Sequence, residues 1–480
     1  MVSFHKHLGL AALVAVMIGV TWLPRAEASR LLDVTNFGVV GDGKTDNQIA
    51  LEHVFAIATP QTIVLFPPGV YLHSGRLSVG REVVVLGAQA TLFGTNANAQ
   101  SLNISGNGSE VTGLAFQGQS GGDPAITLSN VNNTIIKTNL FIGFTNDVVI
   151  TNSQQVNVET NIFEPGSSGT AVIASGQHVR IEGNTFTGFP SPESQTGVSG
   201  SVTDLVIDKG NFFNQLTVAV KVSNSKSATI DKNAFGACQT VISSTGASNT
   251  SITNNTCTNG NAFFDGASVG TAGLYVALNS VTTFNSVFQN FRSNTDTTIV
   301  GNTFRAVGGV LSLVGNQNMV VRSNTISGCP SAIIGELDTK LLIENNTFNQ
   351  CNSSLNLVSE NSVTVHSNTF TASDGIKVSN STDVNVGGNH MNNIATQGVN
   401  SNQNTGKVQI HDNELLNCGL SAGVNPQAVI FASGGSDLSI MNNLYSGNTA
   451  HLLYFIDTPV SGAKVTGNET ATMLPNKIGP

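Results

Sequence analysis

The chain has 480 residues, 10% of them charged and 40% hydrophobic, and a formal net charge of -9. Acidic balance and sparse cations argue against a nucleic-acid partner, and a surface covered by Ser, Thr, Asn, Gln and Gly suits an uncharged or hydrated glycan better. Such a length ordinarily implies two or three domains, but one periodicity runs through most of it and predicts a single elongated domain.

The first 28 residues read as a secretory signal. His5-Lys6-His7 is the basic start, Leu8 to Val20 the apolar run and Ala26-Glu27-Ala28 a small-residue cleavage site, which predicts a secreted or periplasmic protein. The apolar run is short for a spanning helix and no later stretch approaches the required length, so no stable membrane span is expected.

Residues 29–75 read as an N-terminal cap and first strand. Gly41-Asp42-Gly43 is a tight turn, and Thr45 followed by Gln48 has capping-box spacing. A helix is predicted from about Asp46 to Ala58, with Ile49, Leu51, Val54 and Phe55 as the apolar surface that plugs the open end of a solenoid. Asp42 and Asp46 are read as turn and helix-start residues rather than as cation ligands. Thr62 to Phe66 is a buried strand that ends in Pro67-Pro68-Gly69 before Tyr71. Strands are also expected at Val83 to Leu86 and Val111 to Leu114.

From residue 76 to 472 the chain reads as repeats, with 473–480 as a loose tail. The unit is an aliphatic residue, two positions, Asn, one position and usually an aromatic, as in Ile181, Asn184 and Phe186 or Ile343, Asn346 and Phe348. From Asn139 to Asn468 the repeat asparagines are 21 to 30 residues apart, mostly 22 to 24. β-Branched and aromatic residues fill the units, Gly, Ser and Asn mark the corners, and stretches such as Gly375-Ile376-Lys377-Val378 alternate at period two. Each unit is therefore one turn of a β-solenoid rising roughly 4.8 Å, and about fifteen turns make a rod of roughly 70 Å. An Asn at the same corner of every turn is expected to lie in the left-handed region and to bond to the Asn above and below. Longer excursions are expected near residues 189–193, 259–298 and 420–427, where function is often grafted onto a repeat.

The five cysteines follow this register. Cys238, Cys329, Cys351 and Cys418 each stand five residues after a repeat Asn, and Cys257 takes the place of the aromatic, so all read as core or corner fillers. Only Cys329 and Cys351 fall on adjacent turns, close enough to pair if their side chains face one another. His366 and His411 share a register two turns apart, roughly 9.6 Å, too far to share a metal, and are expected to be exposed.

The repeat, together with the Gly-Asp-Gly turn, the capping helix and Pro67-Pro68-Gly69-Val70-Tyr71, resembles right-handed parallel β-helix proteins of the pectate lyase-like superfamily. The resemblance covers nearly all of the chain beyond the signal. It implies an all-β fold, a single-stranded right-handed parallel β-helix (solenoid) with an N-terminal capping helix, and a glycan groove along the sheet about ten residues ahead of the aliphatic strand. Thr127, Lys221, Ser312 and Asn356 are assigned to that sheet. So are Asn290, Arg292, Glu336 and Lys377. Asp265, Arg292 and Glu336 are candidate catalytic residues, and Asn290, Lys377 and Tyr275 are candidate substrate contacts. An acid and a base on one face serve glycan cleavage, since a lyase needs a base beside a uronate and a hydrolase needs two carboxyl groups. No metal-ligand set is evident, and Ca²⁺ is the one cofactor considered.

The chain departs from the better-marked enzymes of the superfamily. It lacks the paired aspartates and Gly-His-Gly of polygalacturonases and the Asp-Pro-His of alginate epimerases, its one Trp is Trp22 in the signal, and it has four tyrosines. Two functions follow from the resemblance: an exported polysaccharide lyase or glycoside hydrolase, or a non-catalytic surface, adhesion or exopolysaccharide-binding protein. Both have a polysaccharide as partner.

Overall fold

The computed structural model describes residues 30–96, 101–118, 122–164, 166, 168–189, 194–266, 270–305, 308–419, 428–434, 436–447, 452–457, 463–470 and 477–478. The stretch read as a signal, the excursions at 190–193 and 420–427, and most of the stretch read as a tail lie outside the described residues. The rest is almost entirely parallel β-structure with one α-helix, and it divides into two compact units, up to Gln239 and from Thr240. Both follow the expected right-handed parallel β-helix.

The first unit opens with the cap. Its helix, α1 (Gln48–Ile57), starts two residues later than expected and has no capping box. Asn47 is the N-cap, but its side chain is engaged elsewhere: Oδ1 accepts from Val40 N–H, and Nδ2 donates to the carbonyls of Val40, Thr45 and Leu72. Thr45 donates instead to Asp42, whose carboxylate also takes the amides of Lys44 and Thr45 and so serves the turn. Leu51, Val54 and Phe55 are buried, whereas Ile49 is 83% exposed and does not belong to the plug. Gly41 and Gly69 pack backbone to backbone, a Cβ on Gly69 meeting Gly41 O at 2.8 Å, and Tyr71 closes the turn by donating to Pro67 O.

Beyond the cap, parallel in-register pairing places like residues over like. Phe116, Phe141, Phe163, Phe186, Phe213 and Phe235 form one buried column, with ring centroids 4.5–5.1 Å apart and planes within 12°. That spacing matches the rise per turn, so the rings stack because the strands do. At the next corner Asn139, Asn161, Asn184, Asn211 and Asn233 form a buried ladder. Asn161 N–H and Nδ2 both donate to Asn184 Oδ1, at 2.8 and 3.0 Å, and Nδ2 also donates to Ile136 O.

The left-handed residue is not the Asn, as expected from the sequence, but the one before it. Thr138, Thr160, Gly183, Gly210 and Lys232 have φ between 52° and 82°, whereas none of the ladder asparagines has positive φ. The preceding residue turns the chain, and this aims the Asn amide inward at the backbone it must satisfy.

The second unit carries its own ladder, from Asn255 and Asn279 through Asn302, Asn324, Asn346, Asn368, Asn389 and Asn413 to Asn443 and Asn468. Its ring column is mixed: Val281, Phe304, Ile326, Phe348, Phe370 and Met391 lie over one another. The irregular stretch 259–298 carries a change of core filling. Phe263, Phe264, Phe288 and Phe291 are buried there, with mutual centroid distances of 5.3–6.0 Å, beside a register shift between Phe288 and Phe291. All five cysteines are buried, as their register implied.

Candidate functional site

Because the strands of the second unit are parallel and in register, outward side chains of one sheet also form columns. One column runs Ile334, Asn356, Lys377, Asn400, Phe431 and Phe455. Successive members stand roughly 4.8 Å apart along the axis. A cleft of about 410 Å³ opens at Asn356, Lys377 and Asn400, walled by Asp374, Thr396 and Gln397. Gly375 lets the wall close in, since any side chain there would run into the carbonyls of Gln397 and Gly398.

The polar groups of the cleft are under-used by the protein itself. Asn356 Oδ1 and Asn400 Oδ1 are buried atoms without a hydrogen-bond partner among the described residues. Asn400 Nδ2 is oriented by Gln397 Oε1 at 2.6 Å. Lys377 is exposed and makes no ion pair among the described residues. Burial holds the Asp374 carboxyl above the usual carboxylate range, partly offset by a hydrogen bond with Thr396. Ile334, 38% exposed, lies one turn before Asn356, and the half-buried rings of Phe431 and Phe455 continue the column beyond Asn400, centroids 6.2 Å apart.

The residues nominated from sequence are only partly brought together. Lys377 lies in the cleft. Asp265 and Asn290 do meet, Nδ2 to Oδ1 at 3.0 Å, but about five turns away on the same sheet, roughly 24 Å from Lys377. Arg292 pairs with Val314 and Val314 with Glu336, so these two share a column two turns apart, roughly 9.6 Å between backbones. Tyr275 is on a different sheet: its strand, Tyr275–Ala277, pairs with Ser251 and Thr298 in the layer of the aliphatic strand. It stands immediately before the aliphatic Val276, which fixes that layer. His366 is exposed as expected, but His411 is half-buried, bonded to Asp412 Oδ2 at 2.7 Å and Asn385 Oδ1 at 2.9 Å.

A second corner ladder stands beside Glu336. Asn294, Asn316, Asp338, Glu360, Ser381 and Asn404 succeed one another on consecutive turns, each accepting from the backbone amide before it. Asn316 N–H and Nδ2 donate to Asp338 Oδ1 at 2.6 and 2.8 Å, and Asp338 N–H donates to Glu360 Oε2 at 2.7 Å. Asp338 Oδ2 and Glu360 Oε1 are buried without partners among the described residues. Gly335 leaves them room, for a Cβ there would stand 2.5 Å from the Glu360 oxygen and 3.3 Å from that of Asp338.

Burial pushes Asp338 up to about 6, against the pull of the Asn316 amides. It pushes Glu360 to about 8, with the charges of Asp338 and Glu336 adding to the effect. At 1% and 2% exposure these two acids are sealed from any substrate. Their shifted acidities therefore belong to the scaffold. Among the described residues no three His, Cys, Asp or Glu side chains converge as a metal-ligand cluster.

Sequence reading missed Asp374, Gln397, Asn400, Phe431 and Phe455. A usable signal existed in the register: Asn356, Lys377 and Phe431 each precede their repeat Asn by 12 residues, and Asn400 and Phe455 precede theirs by 13.

No curated protein matches the chain. Among solved structures, gene product 12 of bacteriophage phi29 in its pre-mature form is 10% identical over 91% of this chain and 72% of its own, with a TM-score of 0.51, a likeness of fold alone. PfbA, a surface adhesin of Streptococcus pneumoniae, is 14% identical over 76% and 90%, with a TM-score of 0.37. The catalytic unit of a GH87 alpha-1,3-glucanase from Streptomyces thermodiastaticus is 13% identical over 94% and 71%, with a TM-score of 0.34. Residues 286–445 match the right-handed β-helix region. Residues 31–271, half of the sequence, match the family described as "Rhamnogalacturonase A/epimerase, pectate lyase-like", and the chain belongs to that pectate lyase-like family.

Proposed function

We propose that the protein is a polysaccharide-binding β-helix that holds a glycan chain in the cleft at Asn356, Lys377 and Asn400. The observation that carries this reading is the pair of buried amide oxygens, Asn356 Oδ1 and Asn400 Oδ1, left without partners in a cleft of about 410 Å³. A buried acceptor without a donor costs about 1–3 kcal/mol, which a sugar hydroxyl recovers on binding. Lys377 adds a free donor, and Ile334, Phe431 and Phe455 extend the strip with apolar surface against which the C–H face of a sugar ring can rest.

Binding is favoured over hydrolysis because of the carboxyl groups. Hydrolysis requires two of them about 5–9.5 Å apart across the scissile bond. Asp374 is the one carboxyl lining this cleft among the described residues, while Asp265 and Glu336 lie elsewhere. On the reading of residues 1–28 as an export signal, residues 29–75 as a cap, 76–472 as repeats and 473–480 as a tail, the mature protein acts outside the cytoplasm. Among the described residues no helix is long and apolar enough to cross a membrane.

The test is retention of the purified protein on immobilised neutral and uronate-containing polysaccharides, with parallel assays for absorbance near 235 nm and for reducing ends, each with and without Ca²⁺. Retention without products is expected, and an Asn356→Leu/Asn400→Leu variant should elute early. New absorbance or reducing ends would replace binding with lyase or hydrolase chemistry. Absence of retention across the panel would remove the glycan reading.

A further inference from the structure

Cys329 and Cys351 occupy one register, five residues after Asn324 and Asn346, on consecutive turns. Turns roughly 4.8 Å apart fall within the Cα separation of about 4.4–6.8 Å that a disulfide bridges. Register leaves side-chain direction open, and the structure turns the two sulfurs toward each other, Sγ to Sγ 2.9 Å, with both thiols reduced. Closing to a bond of about 2.05 Å requires less than about 1 Å of approach. The other cysteines have different neighbours. Cys257 lies opposite Val281, Cys418 opposite Ile394, and Cys238 points its S–H at the carbonyls of Phe213 and Gly236.

We propose that Cys329 and Cys351 are a modification site, closing to an inter-turn disulfide when the chain folds in the presence of a disulfide oxidant. In the docked turns the Cys329 S–H donates toward Cys351, so the two sulfurs are already aligned for bond formation. The Cys351 thiolate attacks one sulfur of the oxidant, breaking its S–S bond and expelling one thiolate. Cys329 then loses its proton, attacks the Cys351 sulfur of the mixed disulfide and expels the second. Two electrons reduce the oxidant to two thiols, which take up the two protons. The cysteines are only 2% and 1% exposed, so the exchange takes place while the turns are docking and not on the finished surface. The clip steadies the cleft as well, because the Cys351 carbonyl accepts the backbone N–H of Asp374 on the cleft wall.

The full chain is refolded with oxidised glutathione or with excess dithiothreitol, denatured, alkylated and weighed. Three of the five thiols should be alkylated after oxidation and all five after reduction, and a non-reduced digest should yield one linked pair carrying residues 329 and 351. The oxidised form should melt about 5 °C higher, and Cys351→Ser refolded with oxidant should lose that rise. Five alkylated thiols after oxidation, or a link to Cys238, Cys257 or Cys418, would overturn the assignment, and this readout needs no variant.

Discussion

The two units solve the same packing problem with different degrees of uniformity. In the first, six phenylalanines stack without interruption beside a ladder made of Asn alone. In the second, Ile326 stands between Phe304 and Phe348, and a further corner ladder admits Asp338 and Glu360 where Asn would serve. Uniform columns are sufficient to build a solenoid, so departures from uniformity are informative. Some departures refill the core, as Phe263, Phe264, Phe288 and Phe291 do; others leave polar groups unspent, as Asn356 and Asn400 do.

The strongest challenge to the uniform unit is removal of one rung. Asn184→Ala deprives Asn161 N–H and Nδ2 of their acceptor and Val158 O of its donor, all buried. A loss of about 4 kcal/mol in unfolding free energy is expected from several orphaned groups at about 1–3 kcal/mol each, read from urea denaturation. A loss below 1 kcal/mol would mean that water replaces the rung.

The acids of the second unit should give the next largest effect, with opposite sign. Asp338 and Glu360 have folded acidities of about 6 and about 8 against ordinary values of 3.8 and 4.5. Below the ordinary values both are protonated in either state and cost nothing. As pH rises, the unfolded chain releases these protons first, so stability should fall between about pH 4 and pH 8 and level off above. Glu360→Gln keeps an oxygen for the Asp338 amide and removes the buried ionisable group. It should stabilise the protein by on the order of 3 kcal/mol at pH 8 and flatten much of the slope. An unchanged pH profile would show that the pair is not the source.

A smaller effect tests the ring column. Phe163→Ile installs in the first unit what Ile326 already is in the second, and should cost about 1.5 kcal/mol in urea unfolding. No cost would make the unbroken stack dispensable. Smallest in energy is Lys377→Met, expected to weaken polysaccharide binding about fivefold, near 1 kcal/mol, while leaving the melting temperature unchanged. A drop in melting temperature would instead make Lys377 a structural residue.

The fold was legible because its main device repeats in sequence: Asn at one corner, an aliphatic residue three before and a ring two after. What repetition could not convey was which neighbour bends. Sterics favour Asn in the left-handed region, but the amide must point into the core, so Thr138, Thr160 or a glycine takes the bend. The second ladder lay eight residues ahead of the repeat Asn, from Asn294 to Ser381, and escaped notice because its members change type. The site was less legible still. Lys377 was found by its alternation, but Val429, Ile430, Phe431 and Ala432 are all apolar, which hides an outward Phe431. Charge drew attention to Asp265, Arg292 and Glu336, whereas the buried unpartnered oxygens of the cleft belong to amides, Asn356 and Asn400, a residue type common everywhere in this chain.

The Asn ladder has a consequence for the length of the molecule. Each rung accepts from one neighbour and donates to the other, so a turn such as residues 302–323 begins and ends at equivalent atoms, 22 residues apart. Excising it would hand the Asn279 amides directly to Asn324. A unit built this way can gain or lose whole turns in evolution or in the laboratory without redesigning this joint, and its number of turns becomes a quantity that can be edited.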